Sequence, residues 1–566
     1  MEGYRYNKEL VDYYTSRGLW TPETLSDIYE LNARGYPDKP AFIDSNKRAT
    51  WKQFKNMTDR LAIKLIELGL KKKDVIICQV HNCVENVAVK IAIEKAGFIF
   101  CFAAMNLREV ELDHFLKATN ASAVVTSRSY HGFDHFKQFD DLRTSGKYPN
   151  FKYIFTVGDD VPDGAISIEE IFSEPIEDKY PDNYLDDKKI SAYHISHIAS
   201  STGSTGIPKL IQCCANNLRM HGWAYMRRWG ISYTDSALIT GVLWTGPVMP
   251  AILSLPQVGG TSVMLDTFSV DAALKMIERE KLTYVTGLPA HLIRMAQSSD
   301  LEKYDISSLR FVSFAGAPFP AGVAEEVEKK LGCPILCFYG VMDTHHVFTV
   351  DPDAGFEARV YTVGKVPPWD EIKIVDDDGN PVAKGEIGTL YWRGPTGTGG
   401  YWGDREKTEE CWQELGLEGW FNTNDRAKLT EDNDVMLLGR KDDVIIRGGY
   451  TIYPLETENK LSPHPKINDI KVVAMPDPEL GEKACAFVIL KEGESLTFEE
   501  MISYLTKSKM AKFKFPERLE IVEEFPTVRD KVNKRALGGI IARKLVDEGK
   551  IEQEIVDIWL KKGKII

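Results

Sequence analysis

The segment Ser200 to Lys209 reads SSTGSTGIPK, and its residue types are those that hold a phosphate chain. Glycines let backbone N–H groups approach an anion closely, and Lys209 supplies a mobile positive charge. The segment is not a Walker A loop, because Ile207 and Pro208 separate its last glycine from the lysine. Clusters of serine, threonine and glycine are also ordinary linkers. Composition alone therefore leaves a phosphate loop and a linker as equal alternatives.

The composition is that of a globular protein with more than one domain. The chain has 566 residues, 43% of them hydrophobic and 27% charged, and this length exceeds a single core. A net charge of −13 argues against nucleic acid as the main partner, since a phosphate backbone needs a basic surface. Nine scattered cysteines without zinc spacing favour reduced thiols over disulfides or a structural metal. The most apolar run, 241–258, is broken by prolines, so we expect a cytoplasmic protein with no membrane partner.

Alternating helix and strand patterns predict an α/β fold. An amphipathic stripe before residue 68 is followed by the continuous apolar run VIICQV at 75–80, and further apolar runs at 284–288, 311–316 and 335–340 are typical of buried strands. We expect these strands to form parallel or mixed sheets covered by helices. Residues 130–187, apart from a strand at 153–157, are rich in Asp, Pro and Gly and are expected to form mostly surface loops.

The pattern changes in the last third of the chain. From Glu371 short strands with Gly and Asp turns predict a small β region, and beyond Gly439 a compact segment has its own strands and helices. We expect a large N-terminal domain over residues 1–439, with mixed sheets and the small β region. A small, mobile α+β domain is expected over residues 440–566.

Five segments, in this order, resemble the core motifs of the adenylate-forming superfamily, which includes acyl-CoA synthetases, aryl-acid ligases, peptide-synthetase adenylation domains and firefly luciferase. The resemblance covers nearly the whole chain from about Leu25, and shorter segments such as RGLW at 17–20 and SYHGFDHF at 129–136 resemble stand-alone aryl-acid ligases of the dihydroxybenzoate type. The five segments are SSTGSTGIPK at 200–209, FYGVMD at 338–343, WFNTND at 420–425, GRKDDVIIRGGYTIYPLETE at 439–458 and FPTVRDKVNKRAL at 525–537.

The resemblance implies a site for ATP. Asp343 stands where the superfamily usually has a glutamate near Mg²⁺, and a carboxylate one methylene shorter can still bind a hard cation. The phosphate-binding positions are Thr202, Gly203, Ser204, Thr205, Gly206 and Lys209. The adenosine-binding positions are Gly316, Ala317 and Pro318 beside the adenine, Tyr339 and Gly340 at its face, Asp425 at the ribose hydroxyls, and Arg440 at the ribose or a phosphate.

Each of these assignments has a structural alternative. Asp343 and Asp425 could be turn or helix-cap aspartates, Tyr339 a buried aromatic at a strand end, and Arg440 an exposed linker charge. His345 and His346 follow Asp343 closely. Adjacent side chains point in different directions in most backbones, so a catalytic role for this pair is not expected.

The resemblance also implies roles in the small domain. Lys531 matches the lysine that stabilises negative charge as the acyl-phosphate bond forms, a role suited to a flexible point charge. Asp530 replaces the glycine that usually precedes it, which leaves Lys534 as an alternative. Asp442 matches a hinge, or with Asp443 is only a capping pair. Gly448 and Gly449 match a turn that lines the tunnel for the thiol.

The pocket for the acid is implied at Trp244, Thr245, Gly246 and Pro247. Dihydroxybenzoate ligases carry an asparagine where this sequence has Thr245, so that particular acid is not favoured. Trp244 beside small residues suits a flat, mostly apolar acid, and it is also compatible with an ordinary core position.

We therefore expect an ATP- and Mg²⁺-dependent acid–thiol ligase. It would form an acyl adenylate from a small aromatic or cyclic carboxylic acid and pass the acyl group to coenzyme A or to the phosphopantetheine thiol of a carrier protein. One alternative is a non-catalytic adenylate-binding or regulatory homologue, given the substitutions at Asp343, Asn424 and Asp530. A second is an adenylating enzyme for a short- or medium-chain fatty acid, and no sequence feature favours a luciferase-like oxidation.

Overall fold

A computed structural model describes residues 5–200, 208–316, 319, 321–413, 419–508, 510–528, 531–561 and 564–566. The positions expected to bind phosphate at Thr202, Gly203, Ser204, Thr205 and Gly206, the adenine-side Ala317 and Pro318, and the substituted Asp530 lie outside the described residues.

The strands contribute a large share of the buried core. The β-strands are, in chain order, β1 (Pro40–Ile43), β2 (Arg48–Thr50), β3 (Val75–Gln79), β4 (Ile99–Phe102), β5 (Ala123–Ser127), β6 (Ser129–Tyr130), β7 (Phe133–Asp134), β8 (Tyr153–Val157), β9 (Ile166–Ser167), β10 (Ile195–Ser200), β11 (Leu210–Cys214), β12 (Ser236–Ile239), β13 (Thr261–Met264), β14 (Tyr284–Gly287), β15 (Phe311–Phe314), β16 (Ile335–Tyr339), β17 (Phe348–Thr349), β18 (Glu371–Val375), β19 (Gly388–Arg393), β20 (Phe421–Leu429), β21 (Val435–Arg440), β22 (Ile445–Arg447), β23 (Tyr450–Ile452), β24 (Ile467–Asp477), β25 (Gly481–Leu490), β26 (Arg518–Ile521), β27 (Thr527–Val528) and β28 (Lys531–Val532).

Helices connect and cover these strands. The α-helices are α1 (Lys8–Ser16), α2 (Leu25–Gly35), α3 (Trp51–Glu67), α4 (Val84–Lys95), α5 (Glu109–Thr119), α6 (His135–Thr144), α7 (Ile168–Ser173), α8 (Ala215–Trp229), α9 (Met249–Ile252), α10 (Leu255–Val258), α11 (Val270–Glu280), α12 (Pro289–Ala296), α13 (Ala321–Leu331), α14 (Phe356–Tyr361), α15 (Arg405–Gln413), α16 (Pro454–Leu461), α17 (Phe498–Lys507), α18 (Lys534–Asp547) and α19 (Gln553–Lys561).

Four larger sheets organise the chain, and the α/β prediction is confirmed. An 8-stranded sheet has the order β17-β16-β15-β14-β12-β13-β1-β2, and a 7-stranded sheet has the order β11-β10-β4-β3-β5-β8-β9. Most neighbours in these two sheets are parallel, as continuous apolar strands predict. A 4-stranded antiparallel sheet, β18-β19-β20-β21, follows. This is the small β region that the sequence predicts.

The C-terminal residues form a 5-stranded sheet of their own from β22 to β26. Alternate residues of β25 enter different apolar clusters: Ala484 and Ala486 join one, and Cys485 and Phe487 join another. Because successive side chains of a strand point to opposite faces, both faces of this sheet are covered. The chain passes from β21 to β22 through a short 3-10 turn, Lys441–Asp443. The division of the chain after residue 439 remains a prediction.

The prediction of mostly surface loops at 130–187 missed two helices. The segment contains α6 and α7, and Phe136, Phe139 and Ile168 are buried. Helix α6 reads HFKQFDDLRT, in which the apolar residues recur every third position within a strongly polar sequence. Tertiary packing of this narrow apolar stripe forms the helix, although its composition resembles that of a loop.

The described residues include no helix with the length and apolar character that a membrane crossing requires.

Candidate nucleotide site

Lys209 and Asp343, which are far apart in sequence, lie side by side. The Lys209 Nζ is 2.8 Å from the Asp343 Oδ1, and the Tyr401 hydroxyl donates to the same carboxylate oxygen. Lys209 immediately precedes β11, an edge strand of the 7-stranded sheet, and Asp343 follows β16, the strand next to the edge of the 8-stranded sheet, so the two large sheets bring them together. The Lys209 side chain is 41% exposed and that of Asp343 13%, so the ammonium is reachable from solvent. The arrangement places a cation and a hard oxygen ligand at one accessible point.

Tyr401 belongs to a loop at residues 394–402 that the sequence prediction missed. The loop pairs with β11, since the Gln212 N–H donates to the Gly400 carbonyl at 2.9 Å and the Trp402 N–H to the Leu210 carbonyl at 2.7 Å. The Thr398 hydroxyl donates to the backbone carbonyl of Asp343. Burial, and then the Asp343 carboxylate, raise the pKa of Tyr401, so its hydroxyl stays protonated and donates. The glycine-rich run GPTGTGGYW was the sequence signal for this loop.

A second polar cluster joins Tyr339, Asp425 and Arg440. Asp425 and Arg440 are directly opposite each other in the antiparallel pair of β20 and β21, and the Arg440 Nε is 3.9 Å from the Asp425 Oδ1. The Tyr339 hydroxyl donates to the Asp425 Oδ2. Burial, and then the Asp425 carboxylate, raise the pKa of Tyr339 well above its usual value, which keeps it a hydrogen-bond donor. Three residues predicted for the adenosine side are therefore brought together.

Gly340 makes a close backbone approach possible. A Cβ at this position would lie 2.2 Å from the carbonyl oxygen of His346, so a larger residue does not fit without moving the chain. Positions of this kind require glycine for packing reasons alone.

His345 and His346 are core residues. The His345 Nε2 is 3.6 Å from the Cys213 Sγ, and the His346 Nδ1 is 2.5 Å from the Thr344 Oγ1. Burial lowers the pKa of His345 to about 4 and that of His346 to about 3, so both rings are neutral at physiological pH.

The residues predicted for the acid pocket divide into two groups. Trp244 is 2% exposed, and its indole N–H donates to the Asn86 Oδ1 at 2.8 Å. Its φ of 63° lies in the left-handed region, which is strained for a tryptophan and fixes the turn after β12. The ring centroid lies 5.6 Å from that of Phe100 and 5.9 Å from that of His197. Trp244 therefore has the surroundings of a core residue.

Thr245, Gly246 and Pro247 are less buried than Trp244. The Thr245 hydroxyl donates to the Val242 carbonyl at 2.6 Å, and Gly246 and Pro247 begin a short 3-10 helix. Gly316 has a φ of 86°, and a Cβ built on it would lie 3.5 Å from the Pro247 Cγ. Pro247 therefore lies beside Gly316, the adenine-side residue that the structure describes.

The turn between β21 and β22 is tied to the adjacent sheet. Asp442 lies in the 3-10 turn, and its Oδ2 accepts from the Asn424 Nδ2 at 2.9 Å. Asn424 has a φ of 59°, a conformation that asparagine and glycine adopt more readily than other residues. Asn424, one of the three positions at which the sequence departs from the superfamily motifs, therefore contacts Asp442, the predicted hinge residue.

Gly448 and Gly449 form the two-residue turn of the hairpin between β22 and β23. Their φ values are 52° and 88°, which a type I′ hairpin turn requires at both central positions. A Cβ on Gly448 would lie 2.9 Å from the Leu480 Cδ2, so this position also packs tightly.

Lys531 and Lys534 occupy different structural positions. Lys531 pairs with Val528 in the short antiparallel hairpin of β27 and β28. Lys534 begins α18, and its Nζ is 2.6 Å from the Glu458 Oε1. Burial alone lowers the pKa of Lys534, but the Glu458 carboxylate and then Asp443 outweigh it and raise the pKa above its usual value. Lys534 is therefore held in an ion pair within the C-terminal region.

The side chains at this point suit a metal ion that would be held mainly by the phosphates of a bound nucleotide. Within the residues that the structure describes, no group of three or more His, Cys, Asp or Glu side chains could hold a metal ion. Mg²⁺ is commonly bound by one or two carboxylates, water and substrate phosphates. The single half-buried carboxylate of Asp343 beside Lys209 fits that pattern, and it does not fit a metal caged by protein ligands alone.

Comparison with known proteins gives two family matches. Residues 29–402 match the family described as "AMP-binding enzyme", and residues 456–531 match "AMP-binding enzyme C-terminal domain". A 2,3-dihydroxybenzoate-AMP ligase of Bacillus subtilis (strain 168) is 30% identical over 95% of this chain and 97% of its own length. A medium-chain fatty-acid–CoA ligase of Escherichia coli (strain K12) is 28% identical over 96% of this chain and 95% of its own. In fold, the chain resembles the anthranilate CoA ligase AuaEII in complex with anthranoyl-AMP, with a TM-score of 0.81 at 24% identity, covering 91% of this chain and 96% of that one.

Proposed function

Because this chain belongs to the family of AMP-binding, adenylate-forming enzymes, we propose that it couples a small aromatic or cyclic carboxylic acid to AMP, releases pyrophosphate, and passes the acyl group to a thiol. The observation that carries the proposal is the pair of clusters described above. One cluster, Lys209 with Asp343 and Tyr401, presents a cation and a carboxylate to phosphate. The other, Tyr339 with Asp425 and Arg440, presents a carboxylate to the ribose hydroxyls.

In the first half-reaction, the adenylation of the acid, the two clusters would have different roles. A carboxylate that attacks the α-phosphate of ATP meets a group of like charge, so the site must neutralise the triphosphate and orient both reactants. In this proposal Lys209 carries part of that neutralisation, together with Thr202, Gly203, Ser204, Thr205 and Gly206. Asp343 would hold Mg²⁺, which supplies further positive charge to the phosphates when bound.

The cluster of Tyr339, Asp425 and Arg440 would fix the position of the nucleotide through its ribose. A carboxylate accepts hydrogen bonds from both ribose hydroxyls, and Asp425 is oriented for this by Tyr339 and by its cross-strand neighbour Arg440. Tyr339 and Gly340 would lie at the adenine face, with Gly316, Ala317 and Pro318 beside them. Thr245, Gly246 and Pro247 would line the acid pocket, and the buried Trp244 would support it from the core. The 3.5 Å between the Pro247 Cγ and a Cβ built on Gly316 supports placing the acid next to the adenosine.

The small domain would complete both half-reactions. We assign Lys531 to charge stabilisation during adenylation, Asp442 to the hinge between residues 1–439 and 440–566, and the turn at Gly448 and Gly449 to the thiol tunnel. The ion pair of Lys534 with Glu458 supports Lys531 over Lys534, because a lysine held by a buried carboxylate is not free to reach a phosphate. The thiol is that of coenzyme A or of a carrier protein.

The nature of the acid rests on the relatives. The dihydroxybenzoate-AMP ligase is named for an aromatic acid, and its similarity to this chain supports an aryl substrate here. The fatty-acid–CoA ligase supports the second candidate, a short- or medium-chain fatty acid. The Thr245 hydroxyl donates to the Val242 carbonyl and keeps its acceptor capacity, so it does not decide between the candidate acids.

The test is carboxylate-dependent exchange of labelled pyrophosphate into ATP. A panel of benzoate derivatives, alicyclic acids and C4 to C12 fatty acids is supplied one at a time with Mg²⁺, and the product is identified as an acyl adenylate. We expect exchange with aryl or alicyclic acids and little with fatty acids. Exchange confined to fatty acids would establish the second candidate, and no exchange with any acid would indicate a non-catalytic adenylate-binding homologue.

A further inference from the structure

The N-terminal segment reaches the loop at 394–402 through three side chains, which we call the N-terminal clamp: Arg5, Tyr6 and Trp20. Each donates to a different backbone carbonyl of that loop. The Arg5 Nη1 is 2.8 Å from the Thr398 oxygen, the Tyr6 hydroxyl 3.0 Å from the Gly397 oxygen, and the Trp20 Nε1 2.9 Å from the Pro395 oxygen.

The two aromatic residues of the clamp are buried. Tyr6 is 4% exposed and Trp20 1%, and their ring centroids are 5.3 Å apart in an edge-to-face contact. The Arg5 guanidinium lies 3.2 Å from the ring centroid of Trp412. Burial lowers the pKa of Arg5 to about 10, so it remains charged at neutral pH. A charged, desolvated donor makes the stronger kind of hydrogen bond.

The fit is close on the loop side as well. A Cβ on Gly397 would lie 2.9 Å from the Arg5 Nη1, so the loop presents a bare backbone to the guanidinium. The loop carbonyls at 395, 397 and 398 have water as their alternative partner if the clamp is absent.

The same loop determines the positions of the two residues at the phosphate end. Thr398 donates to the backbone of Asp343, and Tyr401 donates to its carboxylate and lies 3.3 Å from the Lys209 Nζ. The clamp, on one hand, and Lys209 and Asp343, on the other, therefore contact the same short segment. A shift of the loop on one side changes the geometry on the other.

We propose that the N-terminal clamp positions Tyr401 and Thr398, and through them Lys209 and Asp343, for binding the triphosphate of ATP. The clamp residues touch no reacting atom and act only through the loop. This inference rests on the proposed function, because it takes Lys209 and Asp343 as the groups that meet phosphate and Mg²⁺.

The decisive measurement is the affinity of the full-length protein for MgATP, determined by titration calorimetry without any acid. Tyr6→Phe removes one hydroxyl and keeps the ring, and Trp20→Phe removes the indole N–H. We expect each to weaken MgATP binding about threefold to tenfold, the usual effect of one hydrogen bond. Tyr13→Phe is the matched control, since Tyr13 lies in the same segment, is 44% exposed, and should bind as the wild type does.

A double-mutant cycle separates positioning from simple stabilisation. If the clamp acts through Tyr401, Tyr6→Phe weakens MgATP binding in the wild type and has little further effect in a Tyr401→Phe background. A purely structural role lowers the melting temperature equally in both backgrounds and leaves the affinity unchanged. That result would overturn the proposal, as would an equal loss of affinity in both backgrounds.

The proposed function is tested by a different measurement from the clamp proposal. If the wild-type protein binds MgATP but exchanges no pyrophosphate with any acid, the proposed acid activation is contradicted. The clamp proposal is then still tested by the MgATP affinities of the variants. Wild-type protein that does not bind MgATP overturns both.

Discussion

At the scale of single residues, Asp343 is the side chain whose charge the proposal depends on most. Its Oδ1 already accepts from Lys209 and Tyr401, so Asp343→Asn keeps the shape of the site and removes the charge that would bind Mg²⁺. We expect this variant to lower the rate of pyrophosphate exchange by about 100-fold or more, the usual cost of losing one preorganised electrostatic group. It should also raise the Mg²⁺ concentration needed for half the maximal rate, measured by titrating the metal.

Asp343→Glu is the control for this prediction. Glutamate restores the residue that the superfamily usually carries, so exchange should stay within about tenfold of the wild-type rate if the carboxylate acts on the metal. An Asp343→Asn variant with an unchanged Mg²⁺ dependence would contradict the assignment.

Sequence spacing could not predict these contacts. Lys209 and Asp343 are separated by 134 positions, and their meeting depends on how β11 and β16 are placed in two different sheets. Only the resemblance of the five motifs suggested that they share a site. Tyr401 was missed because a hydroxyl in a glycine-rich loop has no local signature, and its partners become visible only when the loop pairs with β11.

At the scale of elements, the strands were the most predictable part. Strands such as β3 and β15 are buried over their whole length, so continuous apolar runs identified them. Helix α6 was missed because its apolar stripe is narrow and most of its residues are polar. The resemblance identified the turn from β21 to β22, but it did not predict the contact of this turn with Asn424.

That turn gives the prediction at this scale. Asp442→Pro fixes φ near −65° and removes a backbone N–H, so the turn can no longer rearrange freely. We expect pyrophosphate exchange close to the wild-type rate and a strong loss of thioester formation, measured with coenzyme A and with carrier protein. Asp442→Ala is the matched control: it removes the hydrogen bond from Asn424 and leaves φ free, so thioester formation should persist. Equal thioester rates in the proline variant and the wild type would remove the hinge assignment.

At the scale of the whole molecule, the proposed function requires that the C-terminal sheet deliver different residues to one nucleotide site in the two half-reactions. Its two apolar clusters are built from residues of the C-terminal region itself, which is compatible with movement as a unit. Local sequence patterns cannot predict such an arrangement, because they do not encode the relative placement of two cores. The functional residues of this region were therefore predicted by resemblance alone.

Lys531 and Lys534 provide the test at this scale. They are close in sequence, and we expect a substitution of the first to lower the adenylation rate and a substitution of the second to lower the thermal stability. Lys531→Ala should lower the adenylation rate about 100-fold to 1,000-fold while the affinity for MgATP changes little, since the lysine acts on charge that develops during the reaction. Lys534→Met breaks the ion pair with Glu458 and leaves that carboxylate without its partner, so it should lower the melting temperature and spare adenylation in the folded fraction. Single-turnover adenylation, MgATP calorimetry and thermal unfolding on both variants distinguish the roles. If the effects are exchanged, with adenylation lost in Lys534→Met and retained in Lys531→Ala, the ion pair must open in the reacting state and Lys534 is the residue that reaches the phosphate.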